Sequence, residues 1–161
     1  MNPMTTQRGF TYIELLVTVA LLGLLAMMAV PLLSMDSRRT REFTLQADLR
    51  ELRSALDNYK QAAEAGKVER PAGSSGYPPS LQILADGVKD KSDASGKKML
   101  YFLRRIPRDP MCNCPNEPAA QTWQLRSYDS SSDDPQAGDD VFDVTSRSQE
   151  KGLNGVPYNQ W

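Results

Sequence analysis

The residues of this chain that can do chemistry are few. No histidine occurs, which removes imidazole both as a general base and as a metal ligand. The only thiols are Cys112 and Cys114, one residue apart. Such a pair closes a small, strained ring if it oxidises; two free thiols, or pairing with another chain, are the other states open to it. Zinc needs further ligands that Cys and His do not supply. Carboxylates remain. Ser132, Asp133, Asp134, Asp139, Asp140 and Asp143 fall in one stretch. These are the hard oxygen donors that calcium gathers about six to eight at a time, although their spacing is not that of an EF-hand. A solvated acidic loop accounts for the same residues without a ligand. Asp139 with Asp143 is the one pair from which a carboxylate-only hydrolase can be imagined, and no nucleophile motif or phosphate-binding glycine loop stands elsewhere. Lys and Arg number 19 against 20 Asp and Glu, which argues against a basic nucleic-acid surface. The chain does not read as an enzyme.

One further carboxylate stands apart. Glu14 is the single charge between Phe10 and Leu33, a mostly apolar run of 24 residues. As a helix this run is about 36 Å long, enough for a bilayer core of about 30 Å. A cleaved secretory signal would end in a small-residue site, and none follows Pro31-Leu32-Leu33. A buried core helix of this length and uniformity is unusual in a small protein. A membrane helix fits best on length. Against its orientation, Arg38, Arg39 and Arg41 follow the run while only Arg8 precedes it, so the positive-inside rule would put the C-terminal side in the cytoplasm. A carboxylate within such a helix costs about 2.5–3.5 kcal/mol on insertion scales. No Lys or Arg in the next 23 residues is there to pair with it.

The residues around it, Gly9-Phe10-Thr11-Tyr12-Ile13-Glu14-Leu15-Leu16-Val17, follow the short polar stretch MNPMTTQRG. They resemble the processing motif of type IV pilins and pseudopilins. The resemblance implies that a prepilin peptidase cuts after Gly9 on the cytoplasmic face and methylates Phe10, the new N-terminal residue. It also supplies the missing cation. The freed amine of Phe10 pairs with Glu14 of a neighbouring subunit, so that each charge offsets the desolvation of the other. Pro31 falls where the family commonly carries a helix-kinking proline. Tyr12 replaces the more usual leucine.

These residues need a scaffold. Leu45, Leu49, Leu52, Leu56 and Tyr59 recur at spacings of four and three, one face of an amphipathic helix. The pattern predicts one helix from Phe10 to about Ala65, with Gly23 and Pro31 as its weak points. Residues 66–79, rich in Gly, Pro and Ser, predict a loop, and Ser80–Leu84 opens a short helix. Gly87–Gly96 reads as another loop, followed by the apolar run Met99–Leu103. Thr122–Arg126 and Val141–Thr145 read as strands of a small antiparallel sheet packed on the long helix, with the acidic loop at its edge. The tail Gly152–Trp161 folds back, since a free Trp would expose a large apolar area.

Two more stretches extend the resemblance into the head. Tyr77-Pro78-Pro79-Ser80-Leu81, and Leu103 through Ile106-Pro107-Arg108-Asp109-Pro110, are similar to elements of the type II secretion pseudopilins. The chain is thus identified as a member of the type IV pilin-like superfamily, nearest to the major pseudopilins. That implies an α+β, pilin-like fold, with one long helix packed on a small antiparallel sheet. It divides the chain into a cleaved leader (1–9), a transmembrane and filament-core helix (10–33), its amphipathic continuation (34–65) and a periplasmic head (66–161). The implied protein is a single-pass subunit of the bacterial inner membrane. Its partners are further copies of itself, other pilin-like subunits, the prepilin peptidase and an inner-membrane assembly platform. A minor pilin of a type IV pilus or DNA-uptake system is the alternative within the same superfamily. Major pseudopilins also bind calcium just before the last strand, which adds weight to the acidic cluster, although the family's glycine-rich spacing is only loosely reproduced.

Overall fold

The computed structural model describes residues 9–161, apart from the side chains of 27–35. The chain divides into two compact units, residues 1–40 and 41–161. One helix, α1 (Tyr12–Glu64), contributes to both. The division falls inside the amphipathic part of the helix. Residues 41–64 belong with the head because their apolar stripe is the head's own core.

Local chemistry sets both ends of α1. Thr11 caps the start: its Oγ1 accepts from the amide of Glu14 at 3.3 Å, satisfying one of the donors that a helix N-terminus leaves open. At the other end Lys67 N–H donates to Ala62 O and Gly66 N–H to Ala63 O, at 2.9 and 3.1 Å. This is a Schellman closure, and it needs the positive φ of +71° that Gly66 adopts.

In the second unit the spacing rule holds residue by residue. Leu45, Leu49, Leu52, Leu56 and Tyr59 are buried, joined by Ala55 and Ala63. The head closes over them. Helix α2 (Gln82–Asp86) brings Leu84, preceded by Leu81. A short hairpin pairs β1 (Val88–Lys89) with β2 (Met99–Leu100), antiparallel. A second antiparallel pair joins β3 (Trp123–Arg126) to β4 (Asp143–Ser146), with Trp123 opposite Ser146 and Arg126 opposite Asp143. Among the described residues the strands form two separate two-stranded sheets rather than one. The hairpin β1–β2 lies where a loop and an apolar run were expected; two-residue strands are too short to carry an alternation that a sequence reader can see. Leu103, Trp123, Val141, Val144 and Tyr158 complete the core.

The tail returns as expected. Tyr158 is fully buried and its ring meets that of Trp161 edge to face, with centroids 5.1 Å apart. Gly152 is required there, since a Cβ would stand 2.5 Å from the Trp161 ring. Among the described residues no helix is long and apolar enough to cross a membrane. The apolar run continues to Leu33 in the sequence, and its last part, with the expected kink at Pro31, lies outside the described side chains.

Candidate functional site

Gly9, Phe10 and Thr11 precede α1 and are not helical. The bond between Gly9 and Phe10 therefore lies in open backbone, two residues before the first helical turn. Glu14 occupies the third position of the helix, three residues after its cap. Thr11-x-x-Glu14 is the spacing of a capping box, a signal that the motif reading above passed over. The helix N-terminus carries partial positive charge, which favours a carboxylate in the first turn. Among the described residues Glu14 belongs to no ion pair. The side chains beside it are bare. Phe10 is 82 % exposed, and Ile13, Leu15, Leu16, Val17, Val19, Leu21, Leu22, Leu24 and Leu25 are exposed on every face of the helix.

The six candidate calcium ligands are not brought together. Both carboxylate oxygens of Asp143 are taken by guanidinium groups, Oδ1 by Arg53 Nε at 2.9 Å and Oδ2 by Arg126 Nη2 at 3.2 Å. Asp140 is a staple. Its Oδ1 accepts from Ser127 Oγ at 2.8 Å and from the Tyr128 amide at 2.9 Å, and its Oδ2 accepts from Ser75 Oγ. Burial alone would raise its pKa, but these donors outweigh burial and hold the carboxyl below its usual range. Asp134 accepts from Gln136 Nε2 at 2.8 Å, while Ser132, Asp133 and Asp139 lie exposed. No group of three or more acidic or sulfur ligands gathers among the described residues. The residues expected to hold calcium, Ser132, Asp133, Asp134, Asp139, Asp140 and Asp143, are thus not gathered into one group among the described residues. Asp143 is paired with two guanidinium groups and Asp140 is held by neutral donors, while Ser132, Asp133, Asp134 and Asp139 are exposed.

The acids that organise the head lie elsewhere. Asp109, 3 % exposed, sits beneath β4. Its carboxylate accepts from Ser146 Oγ at 2.6 Å, Met111 N at 2.8 Å and Arg147 N at 3.2 Å. Glu42 is buried on α1 and its Oε1 accepts from Tyr158 Oη and Leu153 N, both at 2.8 Å. Arg53 ties three elements, donating to Asp143, to Val144 O at 3.1 Å and to Trp161 O at 2.7 Å. One signal for Glu42 was available: it stands three residues before Leu45, on the apolar stripe, where a charge needs a partner. Apart from Met111, two residues on, the partners of the Asp109 carboxylate are 37 and 38 residues away and those of Arg53 up to 108, beyond any local rule. Cys112 and Cys114 are paired with each other, Cα atoms 5.3 Å apart, in the loop between the Asp109 turn and β3.

Among the described residues the apolar side chains of the first unit are exposed, and the buried acids of the second unit do structural work. The comparisons supply the family. Residues 4–30 match the prokaryotic N-terminal methylation motif. The chain is 32 % identical over 110 residues to the type II secretion system core protein G of Klebsiella pneumoniae, covering 66 % of this chain and 71 % of the relative. It is 30 % identical to that of Aeromonas hydrophila over 111 residues, 66 % of this chain and 69 % of the relative. With that of Vibrio cholerae serotype O1 it shares 30 % over 115 residues, 70 % and 71 % of the two chains. No solved structure matches. The chain belongs to the family of type II secretion system core protein G, the pseudopilins, and is a structural subunit rather than an enzyme.

Proposed function

We propose that this pseudopilin matures by hydrolysis of the Gly9–Phe10 bond, is methylated on the new amine of Phe10, and then polymerises by setting that amine against Glu14 of an adjoining subunit. The observation that carries the reading is Glu14: a carboxylate in the first turn of a bare apolar helix, with no ion-pair partner among the described residues of its own chain. The non-helical backbone at Gly9 and Phe10 supports the cleavage step, because a peptidase needs its scissile bond free of helical hydrogen bonding. Each buried Leu, Ile or Phe side chain is worth about 1.5–3 kcal/mol relative to water. The exposed run from Phe10 to Leu25 therefore demands an apolar environment, first the lipid of the inner membrane and then the filament core. Before cleavage Glu14 meets no cation among the described residues; afterwards every subunit carries that acid and the new amine of Phe10, and their pairing fixes how far each subunit is displaced along its neighbour. The head faces the periplasm in this reading, the prepilin peptidase and an inner-membrane assembly platform are the partners, and Pro31 is where the helix loosens as the filament forms.

Mass spectrometry of the protein recovered from membranes tests the processing: a chain beginning at methylated Phe10 is expected, and one beginning at Met1 overturns it. Glu14→Ala tests the pairing. Cleavage should continue while filament growth and secretion are lost; normal filaments from this variant would refute the role given to Glu14.

A further inference from the structure

Cys112 and Cys114 are joined to each other across a single residue, Asn113, and they take no part in processing or in the pairing of Phe10 with Glu14. A disulfide stabilises a fold mainly by constraining the unfolded chain, and the gain grows with the length of loop that it closes. A ring around Asn113 alone constrains almost nothing. The segment is held by other means. Met111 N donates to Asp109 Oδ1 at 2.8 Å, Cys112 N to Asp109 O at 3.2 Å and Glu117 N to Cys114 O at 3.2 Å. Arg108 donates to Cys114 O and to Glu117 O, both at 2.5 Å. Arg147, just after β4, binds the Glu117 carboxylate at 2.7 Å. None of these ties passes through a sulfur, so the bond is redundant as a brace.

As a reactive group it is well placed. Both cysteines are only half-buried and neither belongs to the core. Asn113, Pro115 and Asn116 beside them are exposed, in backbone of no helix or strand, so a thiol from another molecule can reach the sulfurs. The Arg108 guanidinium lies against the backbone of Cys114 and belongs to no ion pair among the described residues. Positive charge near a sulfur favours its thiolate, and the sulfur that better bears negative charge leaves faster in exchange. An exposed disulfide is also more oxidising than one that is sealed in a fold.

We propose that Cys112–Cys114 is a thiol–disulfide exchange site that oxidises dithiols. One thiolate of the incoming dithiol attacks Cys112 Sγ, forming a mixed disulfide. The Cys112–Cys114 bond breaks and Cys114 departs as a thiolate beside Arg108. The second thiolate of the dithiol then attacks the dithiol's own sulfur in the mixed disulfide, and Cys112 departs. The dithiol loses two electrons and becomes a disulfide. Cys112 and Cys114 gain those electrons and take up the two protons that the dithiol gave up. The surrounding hydrogen bonds keep the two thiols adjacent, so an oxidant can close the pair again. The site acts on the head alone and is independent of Glu14.

The test mixes the oxidised full chain, in detergent without denaturant, with an equimolar amount of reduced thioredoxin as the protein dithiol. Thiols are trapped with a maleimide at intervals and counted on each protein by intact mass, while tryptophan fluorescence reports the fold. Most of the thioredoxin should become oxidised as two thiols appear on the chain, with the fluorescence of the folded head unchanged. No transfer, or thiols that appear only in urea sufficient to unfold the head, overturns the proposal. Replacing both cysteines, Cys112→Ser with Cys114→Ser, should leave the urea midpoint of unfolding where it is. A midpoint that falls makes the bond a structural brace and overturns the proposal. Arg108→Gln should slow the transfer several-fold, and a rate equal to the parent's overturns the assignment of Cys114 as the departing sulfur.

Discussion

Replacing Asp109 by alanine should destabilise the head more than any other single substitution of an acid. The carboxylate is buried and accepts three donors, from Ser146 Oγ, Met111 N and Arg147 N; Ser146 is itself fully buried. A hydrogen bond to a charged group contributes about 1.5–3 kcal/mol, and a buried donor left unmade costs about 1–3. The three bonds share one acceptor and one cavity, so their losses do not add, and a total of about 3–5 kcal/mol is expected. That is a large fraction of the 5–15 kcal/mol or so by which domains of this kind are stable. For a head of this size it lowers Tm by on the order of 10 °C. Asp109→Asn keeps the shape and one acceptor oxygen but turns an NH2 group toward donors, and should cost about 1–2 kcal/mol. The assay is urea unfolding of the full chain in detergent, followed by tryptophan fluorescence. Trp123 is buried and its Nε1 donates to Pro107 O at 2.9 Å, two residues from the substitution. A loss below about 1 kcal/mol for Asp109→Ala would refute the claim that this carboxylate holds β4 to the Asp109 turn.

Tyr158→Phe should cost about 1–1.5 kcal/mol by removing one donor to Glu42, Glu42→Ala should cost more because Leu153 N also loses its acceptor, and a double-mutant cycle in urea should return a coupling above about 0.5 kcal/mol. The Asp93 carboxyl is held down to about 2 by the Ser95 hydroxyl first and then by the amides of Lys98, Ser95 and Lys97. Its contribution is therefore complete above the ordinary value of 3.8 and fades as pH falls toward 2; NMR titration should show that midpoint, and Ser95→Ala should move it upward.

Much of this protein was legible in its residues. The four-three spacing from Leu45 to Tyr59 gave the buried face of α1 because an apolar stripe at helical period has one way to leave water. Gly66 was a natural stop because its positive φ closes the last turn. The two head motifs proved to be core: Pro78 and Leu81 are buried, and Asp109 is the acid beneath β4. The partners of the acidic loop were not legible, because composition does not reveal who reaches an acid first. Asp143 meets Arg53 from α1 and Arg126 from the facing strand, and Asp140 meets two serines from different loops. Clustered in sequence, these acids are dispersed by partners that arrive from elsewhere.

By itself, then, the amino-acid order determined what is local: the N-terminal methylation motif of residues 4–30, the isolated acid at Glu14, the amphipathic stripe and the helix ends, each set by spacing along the chain. The tertiary structure alone decided the fate of the head's charges, the joining of Cys112 to Cys114, and the three-way grip of Arg53. Those depend on donors and acceptors brought within about 3 Å across long stretches of chain, and a distance of that kind is fixed by packing rather than by neighbours in the sequence.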